Sequence, residues 1–306
     1  MTVNSAAIGA DWFLNGLGIL QSQELQTQQQ LSSGYKVSSA ADDPGATRDL
    51  VDLGSSLAAA QAYQADLGGV QTEASSADGA IGSAITLLQS AQSLGSQGAG
   101  SGTTSAERQN LALGVQSIQQ QIVSLANTQV AGRYIFGGDQ DQSPPYQYDA
   151  SSATGVDALT GAASTRAIVN PAGETVYQSL TAGTIFDPSA NGTPDATNTF
   201  AALQSLETAL QTNDTAGVAS SLSSLQSASA WLNQQQVYYG TAEQRLTGEQ
   251  DATTRQITAI QTSVSGIRDA DVAEDATELT QESTDQSAAL AAQAEIPQKS
   301  LFDYLA

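Results

Sequence analysis

The sequence contains no cysteine and no histidine. The absence of cysteine excludes disulfides, thiolate nucleophiles and zinc–thiolate sites. The absence of histidine removes the commonest general base and metal ligand of proteins. Only carboxylates and hydroxyls are left for chemistry, and no glycine-rich loop of the kind that cradles phosphates accompanies them. We therefore predict no catalytic residues, no cofactor and no metal site, and hence a protein that is not an enzyme.

Basic residues are scarce as well. The 306 residues include 9 lysines and arginines against 31 aspartates and glutamates, a formal net charge of −22. Such a charge repels phosphate backbones and anionic lipid headgroups, so neither nucleic acid nor a membrane is expected as a partner. No basic residue precedes Lys36 and no apolar run approaches a membrane span, whereas a secretory signal needs a positive and then an apolar segment. Any export is therefore expected to proceed without a cleaved signal peptide.

What the sequence does contain is long apolar periodicity. One row has residues seven apart without a break, the spacing typical of a coiled-coil-like helix: Leu53, Ala60, Leu67, Ala74, Ile81 and Leu88. A segment rich in Gly, Ser and Thr, residues 95–105, predicts a turn, and Thr104 with Glu107 has the spacing of a capping box. A second helical row begins at Leu111. Residues 46–135 are therefore predicted to form an outgoing antiparallel helical hairpin.

The composition changes near Gly132. Five of the seven prolines fall within residues 144–194. Residues 167–169 and 175–177 read as short strands, and residues 170–173 have Pro and Gly where a type I turn prefers them. We interpret residues 136–197 as a β-rich head and residues 198–268 as returning helices. The predicted fold class is mainly α: a long antiparallel helical bundle or coiled coil formed by the N- and C-terminal regions, with a small inserted β-rich head.

The two terminal segments, residues 1–45 and 269–306, are predicted to be assembly helices. Each is thinly apolar, and each helical glycine costs about 1 kcal/mol relative to alanine, so neither segment should be stable without a partner. The residues predicted to form the assembly interface are Leu14, Leu17, Leu31, Leu290, Ile296, Leu301, Phe302 and Leu305.

Acidic residues of the C-terminal segment step four and three apart, as on one face of a helix: Asp271, Asp275, Glu278, Glu282 and Asp285. We favour a solvated face for this stripe over an interface that repels premature self-association. Asp42 and Asp43 are interpreted as a turn followed by a helix that begins at Pro44. Asp139 and Asp141 are interpreted as part of a surface turn rather than a calcium loop.

Four motifs resemble the hook–filament junction proteins (hook-associated protein 3) of the flagellin superfamily. They are residues 30–34 with Asp42, Asp43 and Pro44; residues 125–138, which contain GRYIFGG; residues 265–274, SGIRDADVAE; and residues 300–305, SLFDYL. The resemblance covers residues 1–137 and 200–306. Pro297 and Gln298 also resemble the ending of flagellins, so a filament flagellin stays open as the alternative. A carboxylate-based hydrolase in the head is a distant third hypothesis.

The resemblance implies a structural role outside the cell. Family members leave unfolded through the flagellar type III apparatus without a cleaved signal, and their termini pair into an inner helical layer on assembly. The implied partners are further copies of the chain, the adjacent hook-associated protein, flagellin, and an export chaperone that covers residues 272–305.

Overall fold

The computed structural model describes residues 3–159, 165–190 and 192–295, and most of them are helical. The helices are α1 (Val3–Ser33), α2 (Pro44–Ala99), α3 (Ser105–Ala126), α4 (Ala182–Ile185), α5 (Thr199–Gln211), α6 (Thr215–Arg268) and α7 (Val272–Glu295). The strands are β1 (Gln129–Val130), β2 (Arg133–Tyr134), β3 (Tyr146–Tyr148), β4 (Val156–Ala158), β5 (Ala167–Val169), β6 (Thr175–Gln178), β7 (Ser189–Ala190) and β8 (Thr193–Pro194). In the described part of the chain these strands form two-stranded antiparallel pairs in sequence order. The mainly α fold class is confirmed.

The chain divides into two compact units. Met1–Gln61 and Arg255–Ala306 form the terminal unit, and Ala62–Thr254 form the central unit. Helices α2 and α6 contribute residues to both units. All the strand pairs belong to the central unit, together with α3 and α5, so the segment predicted as a head shares a compact unit with helices. The domain boundaries drawn from the sequence stay a prediction.

Helix α2 is longer than the sequence suggested. The predicted turn at residues 95–105 is wrong in its first half, because α2 continues to Ala99. A Cβ at Gly95 would lie 2.8 Å from Cδ2 of Leu222. The glycine therefore provides space for a close approach between helices rather than a turn.

Helix α3 starts as its sequence predicts. The Thr104 hydroxyl accepts from the Glu107 amide at 3.3 Å, and the Glu107 carboxylate accepts from the Thr104 amide at 2.7 Å. This reciprocal pair confirms the capping box. Donation from Thr104 holds the pKa of Glu107 below its usual value. One turn later, the buried Arg108 donates to the carbonyl oxygens of Gly98 and Gly100 and to the side chain of Asn213. Arg108 thus ties the α2–α3 turn to the α5–α6 turn.

The predicted hairpin between β5 and β6 is present. The Gly173 amide donates to the Asn170 carbonyl at 2.9 Å, and Gly173 has φ +86°, a backbone conformation that glycine tolerates without strain. The hairpin is held to α6 by the Tyr238 hydroxyl, which donates to the Gln178 carbonyl, and by Arg245, which donates to the Thr175 carbonyl. The short strands therefore depend on the helices for their position.

Candidate assembly interface

Helices α1 and α7 pack against each other in the terminal unit. Apart from Gln30, the least exposed described residues of α1 step four and three apart: Phe13, Leu17, Leu20, Glu24, Thr27 and Leu31. The corresponding row of α7 is Asp275, Leu279, Glu282, Gln286 and Ala289. The Thr27 hydroxyl donates across the pair to Oε1 of Glu282 at 3.3 Å. We call these two rows the α1–α7 seam.

The seam contains carboxylates, which corrects part of the interpretation of the acidic stripe. Asp275 is only 8% exposed and Glu282 is half-buried, whereas Glu278 and Asp285 are exposed as predicted. Oδ2 of Asp275 and Oε2 of Glu282 are buried without a hydrogen-bond donor in the described structure. Burying an unpaired carboxylate oxygen opposes packing. The seam is therefore weaker than an apolar row of the same length.

The predicted interface residues fall into two groups. Leu14 is 62% exposed and Leu290 is 50% exposed, so both are available to a partner. Leu17 and Leu31 are half-buried on the seam. The other predicted residues, Ile296, Leu301, Phe302 and Leu305, lie outside the described residues. The assignment of all eight to an interface stays a prediction.

Among the exposed large apolar side chains in the described part of α1, sequence reasoning named Leu14 and missed the other three. Trp12 is 78% exposed, Ile19 is 59% exposed and Leu25 is 66% exposed. Trp12 and Ile19 are seven residues apart, a signal that a search for a second apolar row would have found. A helix with apolar residues on several sides is normally surrounded by other elements, whereas α7 covers one side only.

A short clamp joins the segments that follow α1 and α6. Tyr35 and Asp269 form an antiparallel β-bridge, the Lys36 amide donates to the Arg268 carbonyl at 2.7 Å, and the Ala270 amide donates to the Gly34 carbonyl at 3.0 Å. The Arg268 guanidinium lies 4.4 Å from the centroid of the Tyr35 ring, within cation–π range. Hydrogen bonds, first from Ser265 and then from Arg268, hold the pKa of Asp269 below its usual value. Two sequence motifs far apart in the chain thus meet.

The interpretation of Asp42 and Asp43 as turn and helix start is supported by their contacts. Oδ2 of Asp42 accepts from the amides of Ser38 and Ser39 at 3.0 and 2.8 Å, which lowers the pKa of this carboxyl. Oδ1 of Asp43 accepts from the amides of Gly45 and Ala46, both at 2.9 Å. Asp43 thus caps the helix that begins at Pro44. Both carboxylates therefore accept hydrogen bonds from backbone amides and stabilise the local conformation of the backbone.

Other candidate sites found in the sequence have structural roles. Oδ2 of Asp141 lies 3.4 Å from Nη1 of Arg133 and 3.9 Å from Nη1 of Arg166. Nη2 of Arg166 also pairs with Oε2 of Glu73 at 2.6 Å. The Asp141 carboxylate, which was considered for a calcium loop, is therefore an ion-pair partner of two arginines. Among the residues that the structure describes, no group of three potential metal ligands occurs. Nor does any helix in the described ranges have the length and apolar character needed to cross a membrane.

Both ends of the chain match one protein family. Residues 10–141 match the bacterial flagellin N-terminal helical region, and residues 222–305 match the bacterial flagellin C-terminal helical region. The two matches together cover well over half of the chain and include α1 from residue 10 onwards, the whole of α7 and the clamp. The chain belongs to the flagellin superfamily.

Two curated relatives of this flagellin-superfamily chain carry the name flagellar hook-associated protein 3. The protein of Escherichia coli is 26% identical over 208 residues, and the protein of Salmonella typhimurium is 27% identical over 205 residues. Each alignment covers 65% of this chain and 63% of the relative, so the similarity spans less than two thirds of the relatives' length. Both relatives are named as flagellar proteins rather than as enzymes, which agrees with the prediction that the chain is not an enzyme.

Solved structures share the fold of this superfamily member. A flagellar hook-associated protein from Vibrio parahaemolyticus superposes with a TM-score of 0.65 at 21% identity and covers 74% of this chain and 100% of its own. A flagellar hook-associated protein 3 from Legionella pneumophila superposes with a TM-score of 0.59 at 11% identity and covers 70% of this chain and 98% of its own. At these identities the similarity establishes the fold alone.

Proposed function

We propose that this chain is a structural subunit of the bacterial flagellum that forms the junction layer between hook and filament. Its work is mechanical, since it polymerises through its terminal helices. The curated relatives named flagellar hook-associated protein 3 support the flagellar assignment. The observation that carries the polymerisation is the exposed apolar surface of α1, since Trp12, Ile19 and Leu25 lie in solvent on a helix that α7 covers on one side only.

The proposed interface combines this surface with the residues predicted from the sequence. Leu14 and Leu290 extend it, and Ile296, Leu301, Phe302 and Leu305 would add the apolar end of the chain. Burial of apolar area contributes roughly 25 cal/mol per Å², so each large side chain covered by a neighbour adds about 1.5–3 kcal/mol. The partners in this proposal are further copies of the chain, the adjacent hook-associated protein and flagellin.

Export is the second part of the proposal. We infer that the chain leaves the cell through the flagellar type III apparatus without a cleaved signal peptide and acts outside the cell. A chaperone would hold residues 272–305 in the cytoplasm. The weak α1–α7 seam is consistent with a segment that exchanges one helical partner for another.

The experiment is a motility and incorporation assay in a strain that lacks the chain. Ile19→Asp should leave the circular dichroism of the purified protein unchanged and abolish incorporation into the flagellum. Ser32→Asp, at an exposed position of the same helix, is the matched control and should incorporate normally. Deletion of residues 296–306 should have the effect of Ile19→Asp. Normal incorporation of both altered chains would refute assembly through the terminal helices.

Filament flagellin is the alternative, because both matching family regions are described as flagellin regions. Purified flagellin should polymerise into long filaments, whereas a junction protein should stop at short oligomers or need a hook end. Electron microscopy of the purified chain at high salt decides between them. High salt is needed because subunits of like charge repel over a Debye length of about 10 Å at 0.1 M salt.

A further inference from the structure

A cleft in the central unit lies outside the interface and the clamp. It has a volume of about 540 Å³, within the range of roughly 300–1,000 Å³ that is usual for ligand sites. Its walls come from the residues around β3, from α4 and the residues that follow it up to Ser189, and from Trp231 of α6. Rings line much of it: Phe136, Pro145, Tyr146, Pro188 and Trp231. Apolar walls with a few polar groups are typical of a binding site.

One carboxylate, that of Asp187, lines this cleft and is held in a fixed orientation. The Tyr146 hydroxyl donates to Oδ2 at 3.1 Å, and Nδ2 of Asn198 donates to Oδ1 at 2.5 Å. Both donors are buried, with Tyr146 4% exposed and Asn198 1% exposed. Burial, and then the charge of Asp187, raises the pKa of Tyr146, so its hydroxyl stays protonated and keeps donating. An acceptor fixed by buried neighbours is preorganised for a ligand.

The charge of Asp187 has no cationic partner in the described structure. None of the described lining residues is basic. The central unit has four basic residues, and each makes other contacts: Arg108, Arg133, Arg166 and Arg245. A cation is attracted both by a carboxylate and by the faces of aromatic rings. The cleft therefore complements a positively charged group better than a neutral one.

We propose that this cleft binds a guanidinium group, the end of an arginine side chain presented by a neighbouring polypeptide. The planar guanidinium matches the two oxygens of a carboxylate and stacks on aromatic rings, which an ammonium group does less well. Thr184 and Ser189, at the rim, are exposed, so the cleft receives the end of a side chain rather than enclosing a whole small molecule. The neighbour as the source rests on the proposed function, whereas guanidinium binding does not.

Tryptophan fluorescence tests the binding on the purified full chain. The sequence has two tryptophans, and Trp12→Phe leaves Trp231 as the single reporter. Titration with N-acetyl-arginine amide should change the Trp231 emission with half-saturation on the order of millimolar. N-acetyl-glutamine amide and glucose, at equal concentrations, should leave the emission unchanged.

Two further variants in the Trp12→Phe background tie the binding to Asp187. Asp187→Asn should raise the half-saturation concentration at least about tenfold, a loss of about 1.4 kcal/mol. Tyr146→Phe keeps the charge but removes one of the two donors that orient it, and should weaken binding several-fold, with folding checked by circular dichroism. The proposal is overturned if arginine amide produces no saturable change, if glucose or glutamine amide acts equally, or if Asp187→Asn binds as well as the parent.

The source of the arginine is tested on the polymer. Because Trp12 belongs to the proposed assembly surface, assembly is tested on the parent chain, which keeps Trp12, and bound probe is measured by equilibrium dialysis. If a neighbouring subunit fills the cleft, the polymer of the parent chain should no longer bind N-acetyl-arginine amide. Unchanged binding after assembly overturns the neighbour as the source. A parent chain that binds the probe but never assembles refutes the proposed function and leaves the guanidinium site standing, so the two failures are distinguishable.

Discussion

Helix α5 of the central unit and helix α1 of the terminal unit use the same apolar spacing with opposite results. On α5, Leu203, Leu206 and Leu210 are fully buried, because α3 packs against that helix and the side chains of Leu206 and Leu210 lie close to glycines of α2. On α1, polar residues interrupt the corresponding row, and the large apolar side chains of Trp12, Ile19 and Leu25 are exposed to solvent. Helical periodicity therefore defines a face, whereas closure of a core also requires that the face be apolar and that neighbours cover it. By that criterion the central unit has a core of its own and α1 does not.

Truncation of one leucine on α5 and of one leucine on α1 should give the largest difference in the free energy of unfolding. Leu206→Ala removes a side chain that is fully buried, and we expect it to lower the free energy of unfolding by about 2–5 kcal/mol, since a cavity adds to the lost burial. Leu14→Ala removes the same atoms at a position that is 62% exposed, and should change stability by no more than about 0.5 kcal/mol. Urea unfolding followed by circular dichroism measures both. Equal losses would mean that α1 is packed as tightly as α5.

Loss of the buried polar contacts of Arg108 in the central unit should have the next largest effect on stability. Arg108→Ala removes the donor to the Gly98 carbonyl and to the Asn213 side chain, and one of the two donors to the Gly100 carbonyl, which also accepts from the Thr103 amide. Of these acceptors the Gly98 carbonyl belongs to a buried residue. Because an unpaired buried acceptor is costly, we expect a loss of about 1–3 kcal/mol in the same assay. Arg255→Ala, at an exposed position of the terminal unit, is the control and should be nearly neutral. A neutral Arg108→Ala would show that water replaces the guanidinium and that the two turns hold without it.

Local signals predicted much of this fold. Thr104 and Glu107 define a helix start by their own hydrogen bonds, and residues 170–173 define a turn, so both could be predicted without knowledge of the surroundings. The end of α2 could not, since Gly95 favours a turn in isolation and is helical here because Leu222 packs against it. A glycine can either form a turn or allow two helices to approach closely, and the surrounding tertiary packing determines which of the two occurs.

The candidate interface was less predictable than the fold. The interpretation of the acidic stripe as a solvated face is right for Glu278 and Asp285 and wrong for Asp275 and Glu282, which lie in the seam. The spacing of the carboxylates does not show what covers each of them. The clamp was missed for a related reason. Tyr35 and Asp269 each sit in a turn with ordinary local chemistry, and their pairing depends on α1 and α7 lying side by side, which no local pattern encodes.

A buried carboxylate gives a smaller effect of opposite sign. Glu207 lies on the apolar face of α5, only 3% exposed, and burial raises its pKa. A raised folded-state pKa means that the folded state binds the proton more tightly, so stability increases as pH falls through that pKa and levels off below the ordinary glutamate range. Glu207→Gln should therefore stabilise the protein at pH 7 by on the order of 1 kcal/mol, and the gain should shrink on acidification.

Glu107→Gln provides the matched control for that experiment. The pKa of Glu107 is lowered by Thr104, so its contribution is present above the ordinary glutamate range and is lost as pH falls through the lowered pKa. This variant should therefore be destabilised at neutral pH and approach the parent in acid. Thermal unfolding at pH 7 and pH 4 compares the two variants. The same sign for both would contradict the assignment of Glu207 as a buried carboxylate that accepts from Gln211 through Oε1 and has no donor at Oε2 in the described structure.

The smallest expected effect is in the clamp, where it tests whether the terminal unit has any specific structure without a partner. Tyr35→Leu keeps apolar bulk but removes the ring that faces Arg268, an interaction worth about 0.5–1 kcal/mol at an exposed site. Global unfolding should hardly change, whereas the amides of Lys36 and Ala270, which donate across the clamp, should exchange with solvent about two- to fivefold faster. Arg48→Gln, at an exposed position of the same unit, should leave both rates unchanged. If Tyr35→Leu also leaves both exchange rates unchanged, the backbone hydrogen bonds hold the clamp without the ring. The terminal unit would then differ less from the central unit in specific structure than its exposed apolar side chains indicate.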